Sequence, residues 1–307
     1  MHISVLLEES IKSLEIKENG IYVDCTLGYA GHSSEILKRI KSGHLFAFDQ
    51  DREAIRYSTN KLSGIASNFT IIKSNFKHLK TCLKEQQVEE VDGILFDLGV
   101  SSPQLDEASR GFSYHNDAPL DMRMDQENPF SAYDVVNTYS ESELARIFFQ
   151  YGEEKYAKSI AKNIVRYREE KNIETTLELV EIIKSSMPEK AKRDKHPARK
   201  VFQAIRIEVN HELEILEETM KDALSMLKVG GVLSVITFHS LEDRIIKNIF
   251  KEFTTVDEMV KGLPNIPDNY LPDFELVTSK AIIPSEKELE VNNRSRSSKL
   301  RVIKRIK

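Results

Sequence analysis

Residues 21–33 read Ile21-Tyr22-Val23-Asp24-Cys25-Thr26-Leu27-Gly28-Tyr29-Ala30-Gly31-His32-Ser33. An apolar, strand-like run passes through a Gly-x-x-Gly turn into a helix-forming stretch. Glycines at such a turn let a ligand approach the backbone, and the start of the following helix offers N–H groups with no partner inside the helix. In an open α/β sheet the first strand-to-helix turn lies at the topological switch point, where nucleotide-like ligands bind. Alone, the turn is equally compatible with a plain tight connection.

Around this stretch, strand and helix signals alternate. Strand-like runs occupy 21–27, 44–49, 69–74 and 91–98, with helical stretches near 33–41, 52–62 and 77–86. Such alternation predicts a parallel sheet with crossover helices. The strands are almost entirely apolar, as required where both sheet faces are covered. From about 107 to 206 only helix signals occur. Ser140 with Glu143, and Thr175 with Glu178, read as capping boxes. Ile147, Phe148 and Tyr151, then Ile160, Ile164 and Tyr167, follow helical spacing. Val209, Leu213, Leu216, Met220, Leu224 and Leu227 read as one long apolar stripe closed by Lys228 and Gly230-Gly231. Strand signals resume at 232–239, 274–283 and 300–306, with a helix over 241–253. The expected architecture is a doubly wound α/β domain, residues 1–107 with 208–307, interrupted by an all-helical domain, 108–207.

The second strand ends at Asp49, 21 residues beyond Gly28. An acidic residue there is placed to accept hydrogen bonds from ribose hydroxyls; it would also serve to cap the next helix. A dinucleotide needs Gly-x-Gly-x-x-Gly for its pyrophosphate, and the turn lacks that spacing. This argues against a nicotinamide-dependent oxidoreductase. S-adenosylmethionine carries no phosphate, and its cationic sulfur favours acidic neighbours such as Asp24, Asp49 and Asp97, all near strand ends.

Composition permits an RNA substrate without requiring one. The chain has 307 residues, 40% hydrophobic and 30% charged, with a formal net charge of −5. That balance excludes a wholly basic nucleic-acid binder, but the charge is unevenly distributed. Residues 294–307 hold seven basic residues and no acidic one, and residues 189–200 hold six Lys or Arg against Glu189 and Asp194. Cys25 and Cys82 show no disulfide pattern, and with the eight histidines they show no zinc spacing, so no metal is expected. A reducing cytoplasm is expected. Glu8 and Glu9 speak against a signal peptide, and no run approaches the roughly 20 apolar residues of a membrane span.

Several longer segments carry a resemblance. They are 2–9 (HISVLLEE), 28–33, 92–106 (DGILFDLGVSSPQLD), 110–113 (RGFS), 119–125 (PLDMRMD), 151–154 (YGEE), 202–207 (FQAIRI), 238–244 (FHSLEDR) and 293–301 (NRSRSSKLR). Through them nearly the whole chain resembles the bacterial small-subunit ribosomal RNA cytosine-N4 methyltransferases. Ser4 stands where that family favours Pro, and Tyr29-Ala30 where it favours Arg-Gly. The resemblance implies a Rossmann-like methyltransferase core, S-adenosylmethionine as cofactor, and a cytidine amine in small-subunit ribosomal RNA, free or in the assembled subunit, as substrate. It implies Ala30, Gly31 and His32 at the methionine end, Asp49 on the ribose, Phe76 beside the adenine, and Asp97 and Gln104 completing the pocket. The distinctive segments offer Arg110, Asp121, Arg123, His239, Asp243 and Arg294 as RNA contacts or structural ion pairs. The basic runs add Lys192, Arg193 and Arg296.

A cytosine amine is a poor nucleophile, because its lone pair is delocalised into the ring. Catalysis then rests on in-line positioning and on an acceptor for the amine proton. Many amino-methyltransferases carry Asp/Asn-Pro-Pro-aromatic at the end of the fourth strand; here the place reads Asp97-Leu98-Gly99-Val100. Asp97 is the expected catalytic residue, and His32 is expected to pack at the turn. A non-catalytic ribosome-assembly factor would keep the basic runs but would not require Asp49 and Asp97.

Overall fold

The computed structural model describes residues 4–192, 196–256, 258–262 and 264–307, without the side chains of 102, 103 and 192. Arg193 and the side chain of Lys192 therefore lie outside the described residues. Seven strands form one sheet: β1 (Ile21–Asp24), β2 (His44–Asp49), β3 (Phe69–Lys73), β4 (Val91–Asp97), β5 (Leu227–Thr237), β6 (Phe274–Leu276) and β7 (Lys299–Arg305). Their order is β3-β2-β1-β4-β5-β7-β6. The first five run parallel, and β7 pairs antiparallel with both β5 and β6. Strand order reverses between β1 and β4, so the crevice of an open α/β sheet lies at their carboxyl ends.

Alternation along each strand explains why both faces are covered. Val23, Phe46, Phe48, Ile94 and Phe96 belong to one core, shared with Leu79, Leu224 and Ile246. Their neighbours Tyr22, Leu45, Ala47 and Leu95 face a second core, with Ile36, Leu37 and Leu62. Period-two burial of apolar residues on both sides makes a near-continuous apolar strand stable only in the middle layer of an α/β sandwich.

The chain divides into two compact units, residues 1–99 with 213–307, and residues 100–212. The breaks differ from the expected 107/108 and 207/208. The first follows Gly99 (φ +91°), two residues beyond β4, and the second follows Glu212, next to His211 (φ +51°), where the helix Arg199–Asn210 ends. The apolar stripe from Val209 to Leu227 is consequently not one helix. His211 ends the helix that holds Val209, and Leu216–Ser225 is a separate helix. Gly230 and Gly231 do not cap it either. They lie inside β5, where the register against β4 jumps from Val91↔Leu227 to Gly93↔Val232. Gly230 (φ +82°) provides the backbone conformation that such a bulge needs.

The 100–212 unit holds its own apolar core around Leu144, Ile147, Phe148, Ile160, Ile164, Ile183 and Ile205, all fully buried. Its helices include Ala132–Thr138, Glu141–Gln150, Ala157–Arg168 and Thr176–Ser185. Ser140 and Thr175 accept from the backbone N–H of Glu143 and Glu178, completing both capping boxes. Tyr167 departs from its predicted stripe and is 40% exposed. Among the described residues, no helix is long and apolar enough to cross a membrane.

Candidate active site

Three adjacent parallel strands, β2, β1 and β4, each end in an aspartate: Asp49, Asp24 and Asp97. The three carboxylates have different partners, and these divide their roles. Asp24 is fully buried. It accepts from Ser33 Oγ (2.6 Å) and from the backbone of Thr26 (3.0 Å). Thr26 Oγ1 in turn accepts from the Asp97 backbone N–H at 2.6 Å. Asp24 therefore ties the glycine turn to the end of β4.

Asp49 accepts from the Gly28 backbone at 2.8 Å and from the Asp51 backbone at 2.9 Å. The cap of the following helix, Arg52–Ser63, is Asp51, which accepts from Glu53 N–H at 3.0 Å. Asp49 instead braces the glycine turn from the neighbouring strand. A carboxylate has about four acceptor sites, so these contacts leave capacity for hydroxyl donors. Burial pushes the Asp49 carboxyl up to about 6, against the opposing pull of its backbone hydrogen bonds.

The turn itself is built tightly. Gly28 (φ +47°) and Ala30 (φ +55°) are both left-handed, and Ala30 is the N-cap of the helix Gly31–Leu37. An alanine there bears a Cβ–carbonyl clash that glycine avoids. Ser58 donates to Gly28 O at 2.7 Å and Lys61 to Tyr29 O at 2.9 Å, binding the turn to the next helix. A Cβ on Gly31 would strike Ser4 Oγ, at 1.6 Å. Ser4, one departure from the family pattern, thus packs against Gly31, the residue that follows the other departure, Tyr29-Ala30.

His32 is buried, its Nε2 lying 3.1 Å from Val5 O and its Nδ1 3.7 Å from Asp97 Oδ2. This agrees with packing at the turn and also brings His32 to Asp97. Asp97 Oδ1 is buried and has no hydrogen-bond partner among the described residues, although the side chain as a whole is 25% exposed. Burial, then the charges of Asp24 and Glu242, hold the Asp97 carboxyl well above the usual carboxylate range. Phe76 begins a short 3-10 turn after β3 and meets Phe96 edge-on, with ring centroids 5.5 Å apart.

Sequence reasoning passed over Glu242. It lies in the 238–244 segment, is buried, and accepts from the backbone of Phe238 at 2.8 Å, with His239 Nε2 3.1 Å away. His239 is the N-cap of the helix Ser240–Thr254. Only the fold reveals that Glu242 acts electrostatically on Asp97.

The remaining candidates lie elsewhere. Gln104 belongs to the 100–212 unit, where its Oε1 accepts from Ser101 N–H at 3.0 Å. Arg110, Asp121 and Arg123 come together in that unit. Arg123 grips Asp121 through two bonds, Nε–Oδ1 at 2.9 Å and Nη2–Oδ2 at 2.7 Å. Buried Arg110 donates to Arg123 O at 3.0 Å, and a Cβ on Gly111 (φ +68°) would sit 2.4 Å from Pro119 O. Asp243 is held by Arg301 (2.7 Å) and Lys299 (3.0 Å) of β7. Arg294 and Arg296 are exposed on the turn Asn293–Ser297.

The donor set at the strand ends fits S-adenosylmethionine. A bound cation would relieve the crowded carboxylates, Asp49 has acceptor capacity for ribose hydroxyls, and Phe76 offers an aromatic surface.

Comparison with known proteins gives two results. Among solved structures, an rRNA methylase from Streptococcus thermophilus aligns with 12% identity and a TM-score of 0.47, covering 100% of both chains. NSun6 from Pyrococcus horikoshii aligns with 11% identity and a TM-score of 0.44, covering 99% of this chain and 53% of that one. A SAM-dependent O-methyltransferase from Thermotoga maritima aligns with 10% identity and a TM-score of 0.43, covering 100% and 68%. The second result is a match to one family over residues 1–306, and the chain therefore belongs to the MraW methylase family, S-adenosylmethionine-dependent methyltransferases.

Proposed function

We propose that this protein methylates the exocyclic N4 amine of a cytidine in the decoding region of small-subunit ribosomal RNA, in the cytoplasm. The single observation carrying the chemical part is the buried, unpartnered Oδ1 of Asp97 at the end of β4. When bound, S-adenosylmethionine supplies an electrophilic methyl group on a cationic sulfur. Ala30, Gly31 and His32 would hold its methionine end, Asp49 its ribose, and Phe76 its adenine, with Asp97 beside the methyl group.

Asp97 Oδ1 accepts a hydrogen bond from one amine N–H. That contact draws the amine out of conjugation with the ring and fixes its orientation. As the nitrogen gains its fourth bond, the proton at that N–H passes to Oδ1. Burial and the charges of Asp24 and Glu242 raise the proton affinity of the Asp97 carboxyl, which makes it a stronger base once a bound cation favours its ionised form. The target base must leave its stack, at a cost of a few kcal/mol. The helical unit is proposed to recognise the flanking RNA, with its basic run 189–200 holding phosphates.

Asp97→Asn is the test. The amide keeps the size of the carboxylate but cannot take the proton. Turnover should fall by about 10²–10⁴-fold, while cofactor affinity, followed by calorimetry, changes far less. Full turnover with normal cofactor binding would remove Asp97 from the chemistry.

A further inference from the structure

One cluster of aromatic and titratable groups is left unused by the proposed methyl transfer. It lies wholly within the 100–212 unit. Tyr114 and His196 are stacked, with ring centroids 4.5 Å apart and planes inclined by 22°. His115 lies 4.6 Å from Tyr114 and edge-on to His196 at 5.3 Å. Behind them, buried Phe202 meets Tyr114 edge-on at 5.6 Å and anchors the group to the core. Tyr114 and His196 are half-buried, and His115 is exposed.

The surroundings carry several cations, of which Lys184 is paired with Glu181 at 2.8 Å. His196 lies within the basic run 189–200, shortly before the helix Arg199–Asn210. Lys190 and Arg199 are exposed, and Lys184 comes from the end of the helix Thr176–Ser185. Burial, then His115 and Lys184, disfavour the protonated form of His196. Its Nδ1 faces the Ala198 backbone N–H at 3.3 Å, so the neutral ring carries its proton on Nε2. Neutral stacked rings beside cations suit a ligand that is flat at one end and anionic at the other. Rings backed by a core residue and edged with Lys and Arg have the chemistry that holds unpaired nucleotides, base on ring and phosphate on cation.

We propose that Tyr114, His115 and His196 form a stacking platform for an unpaired base of the RNA strand, with Lys190 and Arg199 taking its phosphates. This rests on the RNA reading above and adds a binding subsite to it. The platform sets affinity and register without taking part in methyl transfer.

The experiment uses the full chain and a short single-stranded oligoribonucleotide carrying 2-aminopurine, whose fluorescence is quenched on stacking. His115→Ala removes an exposed ring and spares the fold. It should weaken binding about tenfold and reduce the quench. His196→Ala should do the same, whereas His196→Phe retains the stack and should retain the quench. In methylation assays both alanine variants should raise KM for RNA and leave kcat unchanged. Wild-type affinity, quench and KM in both alanine variants would overturn the platform. Equal loss in His196→Phe and His196→Ala, or a quench abolished by a chelator, would overturn it too, the latter by making the two histidines a metal site. If the wild-type chain methylates small-subunit RNA while the variants behave normally, only this inference fails. If the wild-type chain neither binds nor methylates RNA, the underlying reading fails with it.

Discussion

The strand-end carboxylates and the arginine knot of the helical unit are equally conspicuous in the sequence and opposite in their structure. In the knot, Arg123 closes on Asp121 through a two-bonded grip and Arg110 donates inward to the backbone of the same loop. At the strand ends, Asp97 keeps a buried oxygen with no hydrogen-bond partner among the described residues, and Asp49 spends only part of its capacity on backbone N–H groups. A buried acceptor left unsatisfied costs stability, and Asp97 Oδ1 lies at the carboxyl ends of the parallel strands, where a bound ligand can supply the missing donor. We propose that Arg110, Asp121 and Arg123 serve mainly the architecture of the helical unit, since Arg123 is spent on Asp121 and Arg110 on the Arg123 carbonyl.

Substitutions in the two regions should therefore fail in different ways. Asp121→Ala leaves Arg123 without its carboxylate, and should cost about 2–3 kcal/mol. Thermal unfolding of the chain should show a Tm lower by several degrees. Unchanged Tm together with lost RNA affinity would instead make the pair an RNA contact. At the strand ends the fold should survive and ligand binding should change.

Asp49 provides the sharper test, through pH. Its folded carboxyl titrates near 6, above the ordinary value of 3.8. Ribose hydroxyls donate to the charged form, so cofactor affinity should be constant above pH 6 and fall by up to about tenfold per pH unit below it. Asp49→Asn should bind more weakly at neutral pH and lose that dependence. A pH-independent affinity in the wild-type chain would detach Asp49 from the cofactor.

The basic run should show the next smaller effect. Replacing Lys190, Lys192, Arg193 and Lys195 together by Ala should weaken RNA binding and flatten its salt dependence, by roughly 0.7 in slope for each phosphate no longer neutralised. An unchanged slope would reduce the run to a solvated surface segment. The smallest effect concerns Ala30 at φ +55°. Ala30→Gly removes a left-handed alanine, and should raise stability by up to about 1 kcal/mol, measured by denaturant unfolding.

Much of the α/β frame was legible in the sequence, because apolar runs buried on both faces are a strong and local signal. Asp24, Asp49 and Asp97 could be assigned to strand ends because each closes such a run. What escaped were features set by residues distant in sequence. Gly230-Gly231 read as a helix stop but serves a bulge against β4, which periodicity cannot register. The break at His211 needed a left-handed non-glycine residue that no spacing announces. Thr26, Ser33 and Glu242 shape the environment of Asp97 through single hydrogen bonds and charges, and such residues look like any others until the fold places them. Tyr114 and His196 are 82 positions apart and meet only in the folded helical unit.

The central claim is tested most directly by incubating the protein with methyl-labelled S-adenosylmethionine and small ribosomal subunits that lack the modification, then mapping the labelled nucleotide. The account predicts label on the N4 amine of one cytidine in the decoding region, and its near-absence with Asp97→Asn. Label on a ring carbon, on a ribose, or on another base would contradict it.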